Sequence, residues 1–554
     1  MIINALVRRY ESAREVEPGW QKRKADYIID ISADGSILPS SHENKTEYVL
    51  PELPKGRTSG IKASFLCDEG GYLFGIEDEK EKHKRGAEKY AKSKELHTQL
   101  LRDIDSPAAR AICAFFDNAE EHTVPPGIGR KTVCLFAFEG KRIIDYPEIR
   151  NVWNNIHSEN ADGKLCLVTG KIDTEAKLHG NIKGLGKDSP SLINANKPAF
   201  TSYGRTQKDP AAQIGEYATF AYVTALNDLL HKGSKHRQSI GADTVVYWAE
   251  DEVKESEIYS GCIGPNTVPN ESGEEQLSAI MEKAANGKLP DMEGVTWEKP
   301  FYVLCLSLQM KRISVRFFHT SSFGSVIGKL TEHYRNLEIY SSRDEKFKHI
   351  PYWILLAETT VKGSASDAAP LLGGQLINSI ITGARYPAPL YNAILTRIRA
   401  GGDINRAKAA IIKAVLIRNF NEEVSMALNP NSADTAYTLG RLFATIERLQ
   451  HDANGASTVH NGYFSKACAN PASAFPTLLK LSEHHKVDKA GLQIVYAKRK
   501  GELLDILDIE QTPFPAALSL EDQGRFILGY YHQTQDLYRS KEDGSWFWRD
   551  KSEK

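Results

Sequence analysis

Two stretches carry the residue types that cradle phosphate. Gly127-Ile-Gly-Arg-Lys-Thr132 has Arg130 where a nucleotide-binding P-loop requires Gly immediately before Lys. Asn181-Ile-Lys-Gly-Leu-Gly-Lys-Asp188 lacks the first Gly and the final Ser or Thr that would hold magnesium. Neither backbone is built to wrap a triphosphate. The chain has no GxSxG elbow, no HExxH and no paired-carboxylate motif in a recognisable catalytic context. Its histidines are dispersed apart from His484-His485, which read as surface or cap residues on different faces of a helix. Nothing in these patterns demands catalysis.

What remains is a polar, basic loop system interleaved with aromatics. Residues 179–208 contain Lys183, Lys187, Asn194, Asn196, Lys197, Ser202, Tyr203, Arg205, Gln207 and Lys208. Lys and Arg neutralise phosphates, Asn and Gln read base edges, and Tyr stacks on bases. By composition alone the same segment also reads as a solvated loop. Lys55-Gly-Arg-Thr-Ser-Gly-Ile-Lys62 is a second small, basic loop, in which backbone N–H groups, Arg57 and Lys62 can meet a phosphate. The alternative for it is a solvated connection. Lys486, Lys489, Lys498, Arg499 and Lys500 form a third basic cluster, whose default reading is a solvated helix face.

These loops need elements to position them. Residues 2–15 read as a short amphipathic helix ended by Pro18-Gly19. Strands at 27–32 and 36–38 flank Ala-Asp-Gly, a hairpin signal, and a second hairpin is expected between 64–67 and 72–76 across Asp68-Glu-Gly-Gly71. Helices are expected at 79–104, 107–122 and 146–158, and the apolar runs 131–138 and 164–169 have strand length. The stretch 179–247 opens as the long polar segment and closes with a helix at 220–230 and a strand at 243–249. Long irregular loops inside compact domains are usually functional or disordered. A helix at 273–285, a strand pair at 301–308 and 312–319, and a helix at 321–340 follow.

Beyond residue 352 strand signals fade. Helices are expected at 368–382, 390–399 and 405–419, then Asn429-Pro-Asn-Ser432 breaks the chain. Leu439, Leu442, Phe443, Ile446 and Leu449 share one helical face. Segments 475–484, 490–507 and 520–538 complete a small bundle, and Trp546-Phe-Trp548 reads as a hydrophobic staple of the tail on it, with a docking plug as the alternative. The fold class is α+β: mixed α and β with antiparallel strands over 1–345, a helical connection over 346–425, and a helical bundle over 426–554.

Bulk properties exclude some classes. With 70 basic and 71 acidic side chains among 554 residues the net charge is −1, which excludes a strongly basic nucleic-acid coat but not local basic patches. The seven cysteines, at 67, 113, 134, 166, 262, 305 and 468, form no CxxC pair, so neither a disulfide framework nor a structural zinc site is expected. No apolar run approaches 18 residues, and the charged N-terminal segment lacks a signal-peptide core. A cytoplasmic protein with no membrane partner, no metal and no cofactor is expected.

Several motifs together resemble the large subunit of the type I-C CRISPR surveillance complex (Cascade). They are Cys166-Leu-Val-Thr-Gly170, His179-Gly-Asn-Ile-Lys-Gly184, Ala199-Phe-Thr-Ser-Tyr-Gly-Arg-Thr-Gln207, Phe220-Ala-Tyr-Val-Thr-Ala-Leu-Asn227 and Val245-Val-Tyr-Trp-Ala249. Leu439-Gly-Arg-Leu-Phe-Ala444, Phe475-Pro-Thr-Leu-Leu479, Gln523-Gly-Arg-Phe-Ile-Leu-Gly-Tyr-Tyr-His-Gln533 and the N-terminal Met-Ile-Ile-Asn-Ala-Leu segment continue the match in order along nearly the whole chain. The run after Gly184 departs from it, being less Gly-rich and more acidic.

The resemblance implies a non-catalytic subunit at the crRNA 5′ end. Such a subunit recognises the protospacer-adjacent motif on double-stranded DNA, helps open the duplex, guides the displaced strand and recruits a separate helicase-nuclease. Protein then reads a short duplex motif and base pairing reads the rest. It further implies partner backbone and crRNA-processing subunits. On that reading Arg57, Lys62, Lys183 and Lys208 would hold phosphates, with Arg205 among the loop's contact residues. Asn196, Tyr203 and Gln207 would contact bases or wedge against the opened pair. The terminal bundle would correspond to the small subunit, made separately by internal translation, with Met426 as its start. Two rival readings are a stand-alone enzyme using Cys166 or His179, and a regulatory or anti-CRISPR-like scaffold that binds only protein.

Overall fold

The computed structural model describes residues 2–13, 16–39, 41–55, 57, 60–77, 85–118, 122–158, 163–195, 197–206, 209–250, 254–263, 271–285, 292, 294–342, 347–488, 490–509 and 513–538. The fold is α+β, in two compact units, 1–232 and 233–554. No helix among the described residues is long and apolar enough to cross a membrane. The Trp546-Phe-Trp548 staple lies outside the described residues.

The first unit runs α1 (Ile2–Ala13), β1 (Trp20–Ile31), β2 (Ser41–Pro51), β3 (Cys67–Glu69), α2 (Gly70–Leu73), α3 (Gly86–Leu101), α4 (Pro107–Asp117), β4 (Val133–Phe138), β5 (Lys141–Arg142), α5 (Pro147–Ser158), β6 (Lys164–Leu165), β7 (Ile172–Asp173) and α6 (Glu216–Leu229). Its five-stranded sheet has the order β2-β1-β4-β3, with β5 on β4, and only β1 and β4 run parallel. From Ala25 to Ile31 strand β1 alternates buried and half-buried residues, the pattern of a strand with one face on the core. That core contains Trp20, Ile29, Phe65, Phe115, Phe116 and Phe136, and Pro107 starts α4 where its missing N–H costs nothing.

Three local expectations for this unit are corrected. The turn after β1 does form, but residues 36–38 contribute only the bridge Ile31–Ile37, and the strand partner is β2. Residues 64–76 are not a hairpin: β3 leads into the helical turn α2, because Gly70 and Gly71 donate to the carbonyls of Thr132 and Arg130, each at 2.9 Å. A side chain on Gly70 would meet the Gly129 carbonyl, so the glycines serve a close approach of two backbones. The apolar run 164–169 supplies only the two residues of β6. Gly170, at φ +70°, donates to the Cys166 carbonyl at 2.9 Å and turns the chain back into β7.

The second unit runs β8 (Arg237–Ile240), β9 (Asp243–Ala249), α7 (Lys254–Ile263), α8 (Glu271–Ala285), β10 (Pro300–Gln309), β11 (Arg312–Ser322), α9 (Phe323–Leu337), α10 (Tyr352–Ala357), α11 (Leu372–Thr382), α12 (Ala388–Arg399), α13 (Arg406–Phe420), α14 (Thr435–Asn454), α15 (Val459–Ala469), α16 (Pro471–Ser482), α17 (Ala490–Leu507) and α18 (Leu520–Leu537). Strands β8 to β11 form an antiparallel meander in which β9 is buried along its whole length. One hydrophobic core continues from this sheet through α9, α11 and α13 to α14 and α18. The sequence suggests no helix at 459–469; α15 ends at Ala469, and Pro471 starts α16 directly after it. All seven cysteines are free, and six of them are buried.

Candidate nucleic-acid interface

The polar segment between β7 and α6 is tied down at several points. Asp173 accepts the Tyr217 N–H at 3.0 Å, capping α6. Ala176 donates to the Ile214 carbonyl at 2.8 Å, and Glu216 to the Thr174 carbonyl at 2.9 Å. Asn227 on α6 accepts the Lys183 N–H at 2.7 Å and donates to the Asn181 carbonyl at 3.1 Å. Its role was missed because a single amide inside a helix has no distinctive pattern. The Nδ1 of His179 lies 2.8 Å from the Tyr222 hydroxyl. The loop is therefore tied by backbone hydrogen bonds at 174–176 and 214–216 and braced on α6 at 181–183.

The two basic loops of this unit converge. Lys55 pairs with Glu216 at 2.6 Å at the start of α6, and Lys62 donates to the Lys55 carbonyl at 2.7 Å, closing the 55–62 loop on itself. Burial pushes the Glu52 carboxyl up, Lys55 and Lys183 pull it down, and Glu216 adds to the upward push. Lys55 and Lys183, 128 positions of chain apart by number, thus act on one carboxyl. Lys62 and Lys183 are exposed.

The two arginines singled out from sequence have structural engagements. Arg57 pairs with Asp68, which is fully buried, and lies 4.0 Å over the Tyr72 ring. Asp68 also accepts the Ser64 and Glu69 N–H groups, each at 2.7 Å. Arg205 donates to Glu175 at 2.9 Å and to the Pro210 carbonyl at 2.8 Å. Glu175 is shared with Lys164 at 2.9 Å, and the hydrogen bonds from Lys164 and Arg205 hold its carboxyl below the usual range.

Tyr203 stands apart from them. It is 99% exposed and sits at φ +55°, followed by Gly204 at φ +72°, in a turn closed by Arg205 N–H to the Ser202 carbonyl at 3.1 Å. A left-handed backbone under a tyrosine costs about 1–2 kcal/mol. Here it projects a bare aromatic ring from a turn whose next residue is anchored by Glu175. Lys197 and Phe200, just upstream, are exposed as well. Asn196, Gln207 and Lys208 lie outside the described residues.

The groups suggested for an enzyme are engaged otherwise. Burial lowers the His179 pKa to about 4, with Lys55 lowering it further and Glu216 opposing, so its ring is neutral at pH 7. Burial raises the Cys166 thiol, but hydrogen bonds from Thr169 and Gly215 outweigh it and leave the pKa lowered; Gly215 N–H lies 3.3 Å from the sulfur.

In the second unit the basic cluster is largely paired. Lys500 pairs with Glu483, Arg499 with Asp536 at 3.7 Å, and Lys498 with Glu502 at 3.9 Å. Lys486 is exposed, and Lys489 lies outside the described residues. His484 and His485 follow the end of α16 rather than lying within it.

The two glycine motifs of the terminal bundle meet. Gly440 on α14 abuts the Phe526 carbonyl of α18, and Gly529 on α18 abuts the Tyr437 carbonyl of α14, so neither position has room for a methyl. Arg441 Nε donates to Gln533 at 3.3 Å, and Tyr437 Oη lies 3.0 Å from His532 Nδ1. A family model described as CRISPR-associated protein (Cas_Csd1) matches residues 6–538. The chain belongs to this family, the large subunit of type I-C Cascade. No curated protein matches the chain. For a Cascade large subunit the braced loop of the first unit is a surface carried within a larger assembly, and the α14–α18 crossing is where two of the motifs that pointed to the family interlock.

Proposed function

We propose that this Cascade subunit is non-catalytic and reads the protospacer-adjacent motif in double-stranded DNA, with the braced loop at 179–208 against the duplex. The observation that carries this reading is Tyr203, an almost fully exposed aromatic held in a left-handed turn beside exposed lysines. Its ring serves as the wedge that replaces a stacked neighbour when the first pair opens, a contact worth about 1–3 kcal/mol per base. Lys62, Lys183 and Lys208 hold phosphates, and Asn196 and Gln207 contact base edges. Arg57 and Arg205 act on DNA through the loops they brace. The crRNA 5′ region, the target duplex, the backbone and crRNA-processing subunits and a helicase-nuclease are the partners, in the cytoplasm. Residues 426–554 correspond to the small subunit and are also made separately from Met426.

Reconstitution with crRNA and the partner subunits tests this reading, using a duplex library with the adjacent motif randomised. Strong enrichment of one motif is expected in the bound fraction, and the enrichment should collapse with Tyr203→Ala combined with Lys183→Ala. Motif-indifferent binding by the intact complex overturns it.

A further inference from the structure

The terminal bundle holds two apolar clusters of unequal size. The larger is continuous with the sheet of the second unit. A satellite of Leu449 on α14, Tyr496 on α17 and Leu537 on α18 stands apart from it. Val487, Leu492 and Val495 pack against these three and are only half-buried. On α17 the residues Leu492, Val495 and Tyr496 stand at i, i+3 and i+4, so they share one face. Small satellite clusters of this kind usually lie under a further stretch of chain that completes them.

The chain leaves the bundle at this satellite. Helix α18 ends with Leu537, itself one of the three, and Tyr538 after it is 41% exposed. The Arg448 guanidinium donates to the Tyr538 hydroxyl and lies 4.8 Å over its ring. Arg448 also pairs with Asp452 at 3.0 Å, and Asp452 accepts the Tyr496 hydroxyl. The exit is thereby tied to both α14 and α17. Residues 539–554 lie outside the described residues and beyond the family match, which ends at 538. They are charged, polar or Gly except for Trp546, Phe547 and Trp548. Trp546 comes eight positions after Tyr538, a reach of at most about 26–29 Å.

We infer that Trp546-Phe-Trp548 of the same chain docks on the satellite cluster, over the Leu492–Val495 face of α17, and clamps α17 to α14 and α18. Each of these aromatic side chains can bury about 150–250 Å², enough to cover the half-buried aliphatics. The occupant is the chain's own tail because the tail starts at the cluster and holds its only large apolar residues together within reach of it. A tether this short supplies an effective concentration in the millimolar range, which no free partner matches. The inference is independent of the duplex-reading role of Tyr203 and of the family, whose match does not extend to this segment.

The test uses the full chain with the photoreactive p-benzoylphenylalanine in place of Phe547. Irradiation is expected to cross-link it within one chain to peptides covering 487–496 or 537–538, located by mass spectrometry. Trp546→Ser with Trp548→Ser should raise amide hydrogen exchange in α17 at least tenfold and lower the melting temperature by about 2–4 °C. Val495→Thr, a mild change at the seat, should lower the melting temperature of the intact chain. Its effect should fall to about half or less once both tryptophans are replaced, because the two changes act on one contact. Val361→Glu, at a 79% exposed site between α10 and α11, should leave α17 exchange unchanged. Three outcomes overturn the inference: cross-links to another part of the chain, cross-links only to a second copy or to another protein, or no cross-link at all.

Discussion

The Arg205 guanidinium donates to the Glu175 carboxylate at 2.9 Å across 30 positions of chain, and so fixes the residue next to the Tyr203–Gly204 turn. Its charge is spent inside the loop. Arg205→Ala and Arg205→Lys should therefore impair duplex binding to similar degrees, because a lysine cannot reproduce the two-directional fork to Glu175 and the Pro210 carbonyl. Neither should lower the slope of log affinity against log salt. Lys183→Ala should lower that slope by about one, the signature of a lost phosphate contact. Titrations at several salt concentrations separate the two behaviours.

Tyr203 pays for its exposed pose in backbone strain. Tyr203→Gly should leave the melting temperature unchanged or raise it, by the equivalent of about 1 kcal/mol, since glycine accepts the left-handed turn without strain. The same variant should reduce duplex opening by the complex about tenfold or more, and Tyr203→Phe should retain it. Opening is read by a fluorescent base analogue at the first pair beside the adjacent motif.

The crossing of α14 and α18 tolerates no Cβ at Gly440 or Gly529. Gly440→Ala and Gly529→Ala should each destabilise the second unit by roughly 1–3 kcal/mol through overpacking. Combined, they should cost less than their sum, because the first substitution already separates the helices. Denaturant unfolding of the full chain checks both points.

Acid should unfold the protein through its buried histidines. His97 is fully buried, receives the Leu66 N–H on Nε2 at 2.9 Å and donates from Nδ1 to the Ser93 carbonyl at 2.7 Å, so it is locked in one neutral tautomer. Burial lowers its pKa to about 4, and that of His532 likewise to about 4. An unfolded histidine titrates near 6.5, so between about pH 6.5 and 4 the unfolded chain binds protons that the folded one refuses. Stability is complete above pH 6.5 and is lost as pH falls, by on the order of 3 kcal/mol for His97. Melting temperatures over this range should decline, and His97→Gln should flatten the decline while lowering stability at pH 8.

A product beginning at Met426 should appear when the untagged gene is expressed and its products are weighed by mass spectrometry; no species starting near Met426 would sink that part of the proposal. In the intact chain α18 is also covered from outside this segment. Tyr391 donates to the Leu520 carbonyl at 2.9 Å, Tyr531 to the Tyr340 carbonyl at 3.1 Å, and Arg525 pairs with Glu422 at 2.9 Å. The 426–554 product should therefore bind a hydrophobic dye or self-associate when alone, and a fragment beginning at residue 372 should do so less.

Sequence by itself determined the element order of most of the fold and the family. Continuous apolar runs marked β4, β9 and β10, and helical periodicity marked α9 and α11 to α14, because burial of a face writes its period into neighbouring residues. The motif order marked the family. What the loops do with their charged groups was decided only by tertiary structure. Arg57 and Asp68 are 11 positions apart, Arg205 and Glu175 are 30 apart, and Lys55 meets Glu216 across 161. The glycines at 70–71 read as a turn and are instead a close approach to Gly129, and the apolar run at 164–169, read as a strand, leaves Leu165 and Leu167 exposed. Local patterns report which residues prefer burial or a turn; which partner each one finds depends on where the rest of the chain has been folded to.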